Sequence, residues 1–199
     1  NEVNSANDNP IVDAEKQQVY HGGNFHGDYI SLEMDKMRLA TTKLSMLVER
    51  QLNYLMNAKL NDIFPPFLNH GKLGLNFGMQ GAQFSAVSTT AENQTLSNSM
   101  YIHSISNNND NQDIVSMGTN AATLTKRVIN NSFEVLSVQV ISLVQAAYYL
   151  EEVEKLAPKT RSILRQLQKF IPKIEEDQPL YSLIEETTHY LKNHDSYEN

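Results

Sequence analysis

Between residues 119 and 157 the chain contains neither proline nor glycine, and its apolar residues return at helical intervals. Ile114, Met117, Ala121, Leu124 and Val128 step by three and four, and a second stripe runs through Phe133, Leu136, Val140, Leu143, Ala147 and Leu150. The simplest reading is one helix of nearly forty residues, about 55 Å long, begun at Ile114 and N-capped by Asp113. Such a rod is longer than a small domain is wide. Between Phe133 and Leu150 its apolar residues cover more than one face, so it is expected to be buried among several helices, those of other subunits included.

The rest of the chain fits the same class. Asn9-Pro10-Ile11-Val12-Asp13 and Gln18-Val19-Tyr20 flank a turn-like stretch and predict a short β-hairpin. Ile30, Met34, Met37, Leu44, Leu47, Leu52 and Leu55 predict a long helix over residues 29–57, with Phe64-Pro65-Pro66-Phe67 as its firm end. A glycine-punctuated link over 71–81 leads to a helix over about 83–96. Helices near 160–170 and 180–191 close the chain, with Pro158, Pro172 and Pro179 at the joints. The expected fold is therefore all-α, a long-helix bundle with a short β-hairpin near the N-terminus.

Composition excludes several functions. A formal net charge of −7 with scattered Lys and Arg gives phosphate no reason to approach, so nucleic acid is not an expected partner. The chain has no cysteine, hence no disulfide frame and no thiolate metal site. No stretch approaches the roughly 18 unbroken apolar residues of a membrane span. A cytoplasmic protein without membrane contact is expected. The polar opening over residues 1–10 is not a signal peptide, and the lack of an initiator Met fits a cleaved or truncated start.

Two polar loops carry what chemistry the chain offers. His21-Gly22-Gly23-Asn24-Phe25-His26-Gly27 lacks the Gly-Lys-Ser/Thr end of a phosphate loop, and its two histidines have no carboxylate partner pattern for a metal. A tight turn in which Gly22, Gly23 and Gly27 take positive φ or permit close backbone approach explains the glycines, though not the phenylalanine among them. In the second loop, six of the seven residues 107–113 are Asn or Asp. Such side chains satisfy turn backbones and cap helices, and a solvated connection is the plain alternative to a binding loop.

Taken together and in order, seven blocks point further. Ser5-Ala6-Asn7-Asp8-Asn9-Pro10, Gly22-Gly23-Asn24-Phe25-His26-Gly27, Glu49-Arg50-Gln51, Pro65-Pro66-Phe67, Gly74-Leu75-Asn76-Phe77-Gly78-Met79-Gln80, Thr90-Ala91-Glu92 and Asn111-Gln112-Asp113-Ile114-Val115-Ser116-Met117-Gly118 resemble successive blocks of the histidine, phenylalanine and tyrosine ammonia-lyases and related aminomutases. They span about residues 3–125. The run from Tyr20 to Tyr29 and the loop from Asn107 to Gly118 look most like bacterial tyrosine ammonia-lyases.

The resemblance implies the helical fold of the ammonia-lyase and fumarase-like type, and a homotetramer whose active sites are shared between subunits. It also implies an electrophilic 4-methylideneimidazole-5-one, formed from an Ala-Ser-Gly tripeptide, that captures the amine of an aromatic L-amino acid while a base removes the β-proton. No metal is implied. No Ala-Ser-Gly occurs in these 199 residues, so the electrophile, the tyrosine base and the carboxylate-binding arginine are expected from an N-terminal segment of the same enzyme. The chain alone is expected to be inactive.

Residue by residue, Phe25 matches the phenylalanine packed beside the electrophile, with a core aromatic as the alternative. Gln112 matches the position near the substrate amine, where histidine lyases carry glutamate; a neutral amide suits an uncharged phenyl or phenol ring. Asn108 and Asn111 resemble pocket asparagines that bind substrate, with loop and cap roles as alternatives. Arg50 and Glu92 read as structural charges. The competing readings are a histidine ammonia-lyase, an aromatic aminomutase and an inactive helical scaffold. A fumarase-type lyase is set aside because its Gly-Ser-Ser loop is missing.

Overall fold

A computed structural model describes residues 2–150 and 153–194. Among these the chain forms a two-stranded antiparallel hairpin, β1 (Ile11–Asp13) with β2 (Gln18–Tyr20), followed by six α-helices. These are α1 (Asp28–Met56), α2 (Ala58–Asn61), α3 (Gln80–Leu96), α4 (Gly118–Ala147), α5 (Pro158–Leu167) and α6 (Tyr181–Asn193). The all-α class and the hairpin stand as the sequence predicts, with Ile11 opposite Tyr20. The chain divides into two compact units, one of residues 1–42 and 94–129, the other of residues 43–93 and 130–199. Helices α1, α3 and α4 each contribute residues to both.

In the first unit the organising group is Arg38, whose side chain has 0% of its surface exposed. A guanidinium removed from water must find compensation for its charge and its donors. It donates to Asp35 Oδ1 at 2.6 Å, to the Asn98 carbonyl at 2.7 Å and to the Ala121 carbonyl at 3.2 Å. Asp35, also buried, accepts from Ser99 Oγ at 2.6 Å and from the Tyr101 N–H at 2.9 Å. One ion pair on α1 thus holds the start of α4 and the turn that follows α3. Burial alone would raise the Asp35 pKa, but the hydrogen bonds from Ser99 and Tyr101, with the Arg38 charge, outweigh it and hold the carboxyl below its ordinary value.

The second unit contains the apolar core. Val48, Leu52 and Met56 of α1, Ala82 and Ala86 of α3, Val135, Val138, Ile141 and Val144 of α4, and Leu164 and Leu167 of α5 form one cluster, joined by Leu68, Met79, Ile171 and Ile174. From Ser132 to Ala147 only Leu143 of α4 is exposed, in keeping with the all-round apolarity of that stretch. Asn93 donates to Ser45 Oγ and Ser132 Oγ, both at 3.2 Å, and so ties α3 to α1 and α4 within the core.

Two helix ends differ from expectation. Helix α1 ends at Met56, well before the prolines, because Asn57 caps α2 and buried Asn61 takes over the free backbone groups. The Asn61 amide donates to the carbonyls of Tyr54, Leu55 and Asn57, and its Oδ1 accepts from Ile63 and Phe64. The predicted rod of nearly forty residues is shorter at both ends: α4 has 30 residues, beginning at Gly118 and ending at Ala147. Its C-terminal end is set by partners distant in sequence. Tyr149 donates to the Asn69 carbonyl at 2.6 Å and stacks on His70 at 4.0 Å, while Tyr148 donates to the Ile171 carbonyl at 3.1 Å. Beyond it a 3₁₀ turn spans Val153–Lys155; the predicted helical continuation through residues 151–152 lies outside the described residues.

Asp35 has its pKa lowered on folding, so its stabilising contribution is present above about pH 4 and is lost as pH falls through and below that range. Arg38→Met, which strands a buried carboxylate, should cost about 3 kcal/mol or more in urea unfolding at neutral pH. Asp35→Asn should also be destabilised at neutral pH, with a deficit that shrinks toward pH 3; a deficit constant from pH 7 to pH 3 would contradict the ion pair's role.

Candidate active site

The residues singled out by sequence all fall in the first unit, on two loops. Asn24–His26 form a 3₁₀ turn closed by the His26 N–H donating to the Gly23 carbonyl at 3.2 Å. Phe25 projects from it with 38% of its surface exposed, its ring 4.1 Å from that of His26. Exposure of this size argues against the core-aromatic alternative. Gly27 follows at φ +68° and its carbonyl accepts from Ser31 at 3.1 Å, which begins α1.

Only Gly27 of the three loop glycines needs positive φ. Gly22 and Gly23 lie at ordinary φ, and a Cβ added to either would meet nothing within 4 Å. The tight-turn explanation therefore holds for one glycine and is corrected for the other two. Gly22 instead contributes its N–H, which donates to Asn9 Oδ1 at 3.2 Å.

The asparagine loop is an unusual turn. Asn107 and Gln112 pair through their backbones, N–H to carbonyl at 3.1 and 3.4 Å, and between them Asn108, Asn109 and Asp110 take φ of 54°, 53° and 61°. Three successive left-handed residues cost about 1–2 kcal/mol each for an ordinary side chain, and Asn and Asp tolerate that region best after glycine. The run of amides and acid is thus what the backbone requires. Ser106 Oγ donates to Asp110 Oδ1 at 2.7 Å and the Asn111 N–H to the Asn108 carbonyl at 3.1 Å, which lock the turn. Asn108 and Asn111 are exposed and Gln112 is half-buried. Among the described residues none engages the side-chain amides of these three, so they are available to a ligand.

Asp113 is not the cap of α4. Its Oδ1 accepts from the adjacent Ile114 N–H at 3.0 Å, and the helix begins five residues later, at Gly118, with Ala121 donating to the Met117 carbonyl at 2.8 Å. The intervening segment is held by other contacts: the Val115 N–H donates to Ser104 Oγ at 2.9 Å, and Ser116 Oγ donates to the His26 carbonyl. Gly118 sits directly against Gly27, where an added Cβ would lie 3.1 Å from the Gly27 carbonyl oxygen. The glycine loop and the segment after Gln112 are therefore joined. Sequence reading quoted Ser116 and Gly118 within a block without assigning them work, since no local pattern reveals a partner 90 residues away.

Other charged candidates are occupied. Arg50 Nε donates to Glu49 Oε2 at 2.5 Å, and Glu92 Oε2 accepts from Asn131 Nδ2 at 2.9 Å. Among the described residues no three His, Asp or Glu side chains come close enough to hold a metal ion, and no helix is long and apolar enough to cross a membrane. A cleft of about 470 Å³ in the second unit, lined by Phe77, Phe84, Tyr181 and Ile184, has Asp177 tied down by the Phe77 and Gly78 N–H groups at 2.9–3.0 Å. It is separate from the loops above.

This arrangement is similar to that of known carbon–nitrogen bond enzymes. The solved structure of phenylalanine aminomutase from Pantoea agglomerans superposes with a TM-score of 0.90 at 33% identity, over 98% of this chain and 38% of that one. The aromatic amino acid lyase profile matches residues 1–169, and the chain belongs to that family. It is 38% identical over 184 residues to a tyrosine ammonia-lyase of Cupriavidus metallidurans, covering 92% of this chain and 34% of that protein. It is 37% identical over 194 residues to a histidine ammonia-lyase of a Geobacillus species, covering 98% of this chain and 38% of that protein. The chain thus spans little more than a third of the length of the relatives it matches.

The differing demands on the loop glycines are testable by thermal or urea unfolding. Gly27→Ala should destabilise by about 1–2 kcal/mol, the cost of the left-handed region for a residue with a Cβ. Gly22→Ala and Gly23→Ala should be neutral or slightly stabilising, and equal losses at all three positions would show that the loop is constrained by something other than backbone conformation.

Proposed function

We propose that this chain supplies one wall of the active site of an ammonia-lyase that eliminates ammonia from an aromatic L-amino acid, tyrosine or phenylalanine, to give an arylacrylate. The observation that carries this reading is Gln112: a neutral, half-buried amide with no side-chain partner among the described residues, beside a turn that presents Asn108 and Asn111. A carboxylate in that place would favour a cationic ring such as imidazolium, whereas an amide accepts an uncharged ring and still hydrogen-bonds an amine. Near-equal identity to tyrosine and histidine lyases leaves the substrate to be argued from this residue. An aminomutase, as in the Pantoea relative, would use the same wall and keep the ammonia for readdition.

The family's 4-methylideneimidazole-5-one group would supply the electrophile that makes the amine a leaving group. No Ala-Ser-Gly lies in these 199 residues, so the group would come from sequence outside them. The exposed Phe25 ring fits that arrangement, because an aromatic surface on a rigid loop is a ready partner for a flat group and excludes water from it. In this reading Gln112 orients the substrate amine, and Asn108 and Asn111 hydrogen-bond the far end of the substrate. Partners are the N-terminal part of the same enzyme and further copies in a homotetramer. Support for the latter comes from α1, where Leu44 and Leu47 leave 50% and 54% of their surface exposed on one helix face. An acidic, cysteine-free composition is in keeping with a cytoplasmic setting.

The complete enzyme should convert tyrosine or phenylalanine to coumarate or cinnamate, followed by absorbance and product chromatography. Formation of urocanate from histidine with no turnover of either aromatic substrate would overturn the reading. Gln112→Glu should lower kcat/KM for tyrosine about tenfold or more; an unchanged value would remove Gln112 from the site.

A further inference from the structure

We infer that Ser116 is a positioning residue, which sets the spacing between the Phe25 loop and the Gln112 strand. The inference rests on the reading of Phe25 and Gln112 as facing one substrate. A serine just ahead of a helix ordinarily turns its hydroxyl back onto the helix's own free N–H groups. Ser116 lies two residues before α4, yet its Oγ donates to the His26 carbonyl, in a loop distant in sequence. His26 is the neighbour of Phe25, and Ser116 follows Gln112 by one turn's length of chain.

A second contact makes this a fixed register rather than a single tether. The next carbonyl along, that of Gly27, already accepts from Ser31 in the first turn of α1 and sits against Gly118, where a Cβ would come within 3.1 Å. Gly27 itself is held at φ +68°. Ser116 therefore draws the His26 carbonyl in while Gly118 sets how closely the loop can approach. The Val115 N–H bond to Ser104 Oγ keeps the strand from following the loop if it moves. Without the Ser116 hydroxyl the Phe25 loop loses its link to the segment that carries Gln112, and an offset on the order of 1 Å between reacting groups is costly to rate.

The test compares Ser116→Ala, Ser116→Thr and Gly118→Ala in the complete enzyme, by amide hydrogen exchange and steady-state kinetics. Ser116→Ala should raise exchange about fivefold to tenfold over residues 23–27 and 112–117, as loss of one hydrogen bond predicts, with the interiors of α1 and α4 unchanged. It should lower kcat for the aromatic substrate about tenfold with KM within about twofold. Ser116→Thr should restore both, because it keeps the hydroxyl, and Gly118→Ala should reproduce the alanine pattern should Ser116→Ala fail to fold. Unchanged exchange in both segments, a kcat unaffected by faster exchange, or a threonine variant no better than alanine would overturn the inference. A wild-type enzyme without activity on tyrosine or phenylalanine would instead refute the proposed substrate, and the exchange data would still decide whether Ser116 joins the two loops.

Discussion

A guanidinium buried without any exposed surface is the constraint on which the first unit depends. Removing Arg38 from water is tolerable only because Asp35 and two carbonyls replace that water, and those carbonyls belong to the end of the α3 turn and the start of α4. The pair therefore imposes the positions of segments that have no other reason to meet. Asp35 extends the effect by accepting from Ser99 and Tyr101, so the long connection to α4 leaves the helical framework from a defined point. At its far end Ser116 and Gly118 meet the glycine loop. The connection is irregular in conformation but anchored at both ends.

Within that connection the left-handed turn at Asn108, Asn109 and Asp110 places backbone strain where candidate substrate-binding groups lie. Strained backbone persists only when its surroundings over-determine it, and here the Asn107–Gln112 pairing and the Ser106–Asp110 bond do so. The result is a rigid presentation of three amides with no internal partners. Membership of the aromatic amino acid lyase family gives that presentation a chemical context, and a chain spanning about a third of its relatives' length accounts for a site wall that stays open.

Periodicity made the hairpin, α1, α3 and the closing helices legible, because each has a local signal: alternation, three-and-four spacing, or a proline at a joint. The glycine and asparagine blocks were legible as a family pattern, and Phe25, Asn108, Asn111 and Gln112 were named from it. What escaped was whatever depended on a distant partner. Asp113 had the composition of a cap but not its position. Gly22 and Gly23 looked like turn glycines although only Gly27 needs the conformation. Ser116 carried no visible role until its hydroxyl was seen on a carbonyl 90 residues away.

By itself the sequence determined that this protein is helical, hairpin-led and related to the ammonia-lyases, since apolar spacing and ordered blocks are properties of the chain alone. Only the tertiary structure decided where the longest helix stops. Nothing in residues 119–157 forbids a helix through Tyr148 and Tyr149. Those hydroxyls instead bond the carbonyls of Ile171 and Asn69, and His70 stacks on Tyr149. Satisfying buried backbone oxygens and rings outweighs further turns of helix, and the oxygens concerned lie on segments that sequence proximity does not connect.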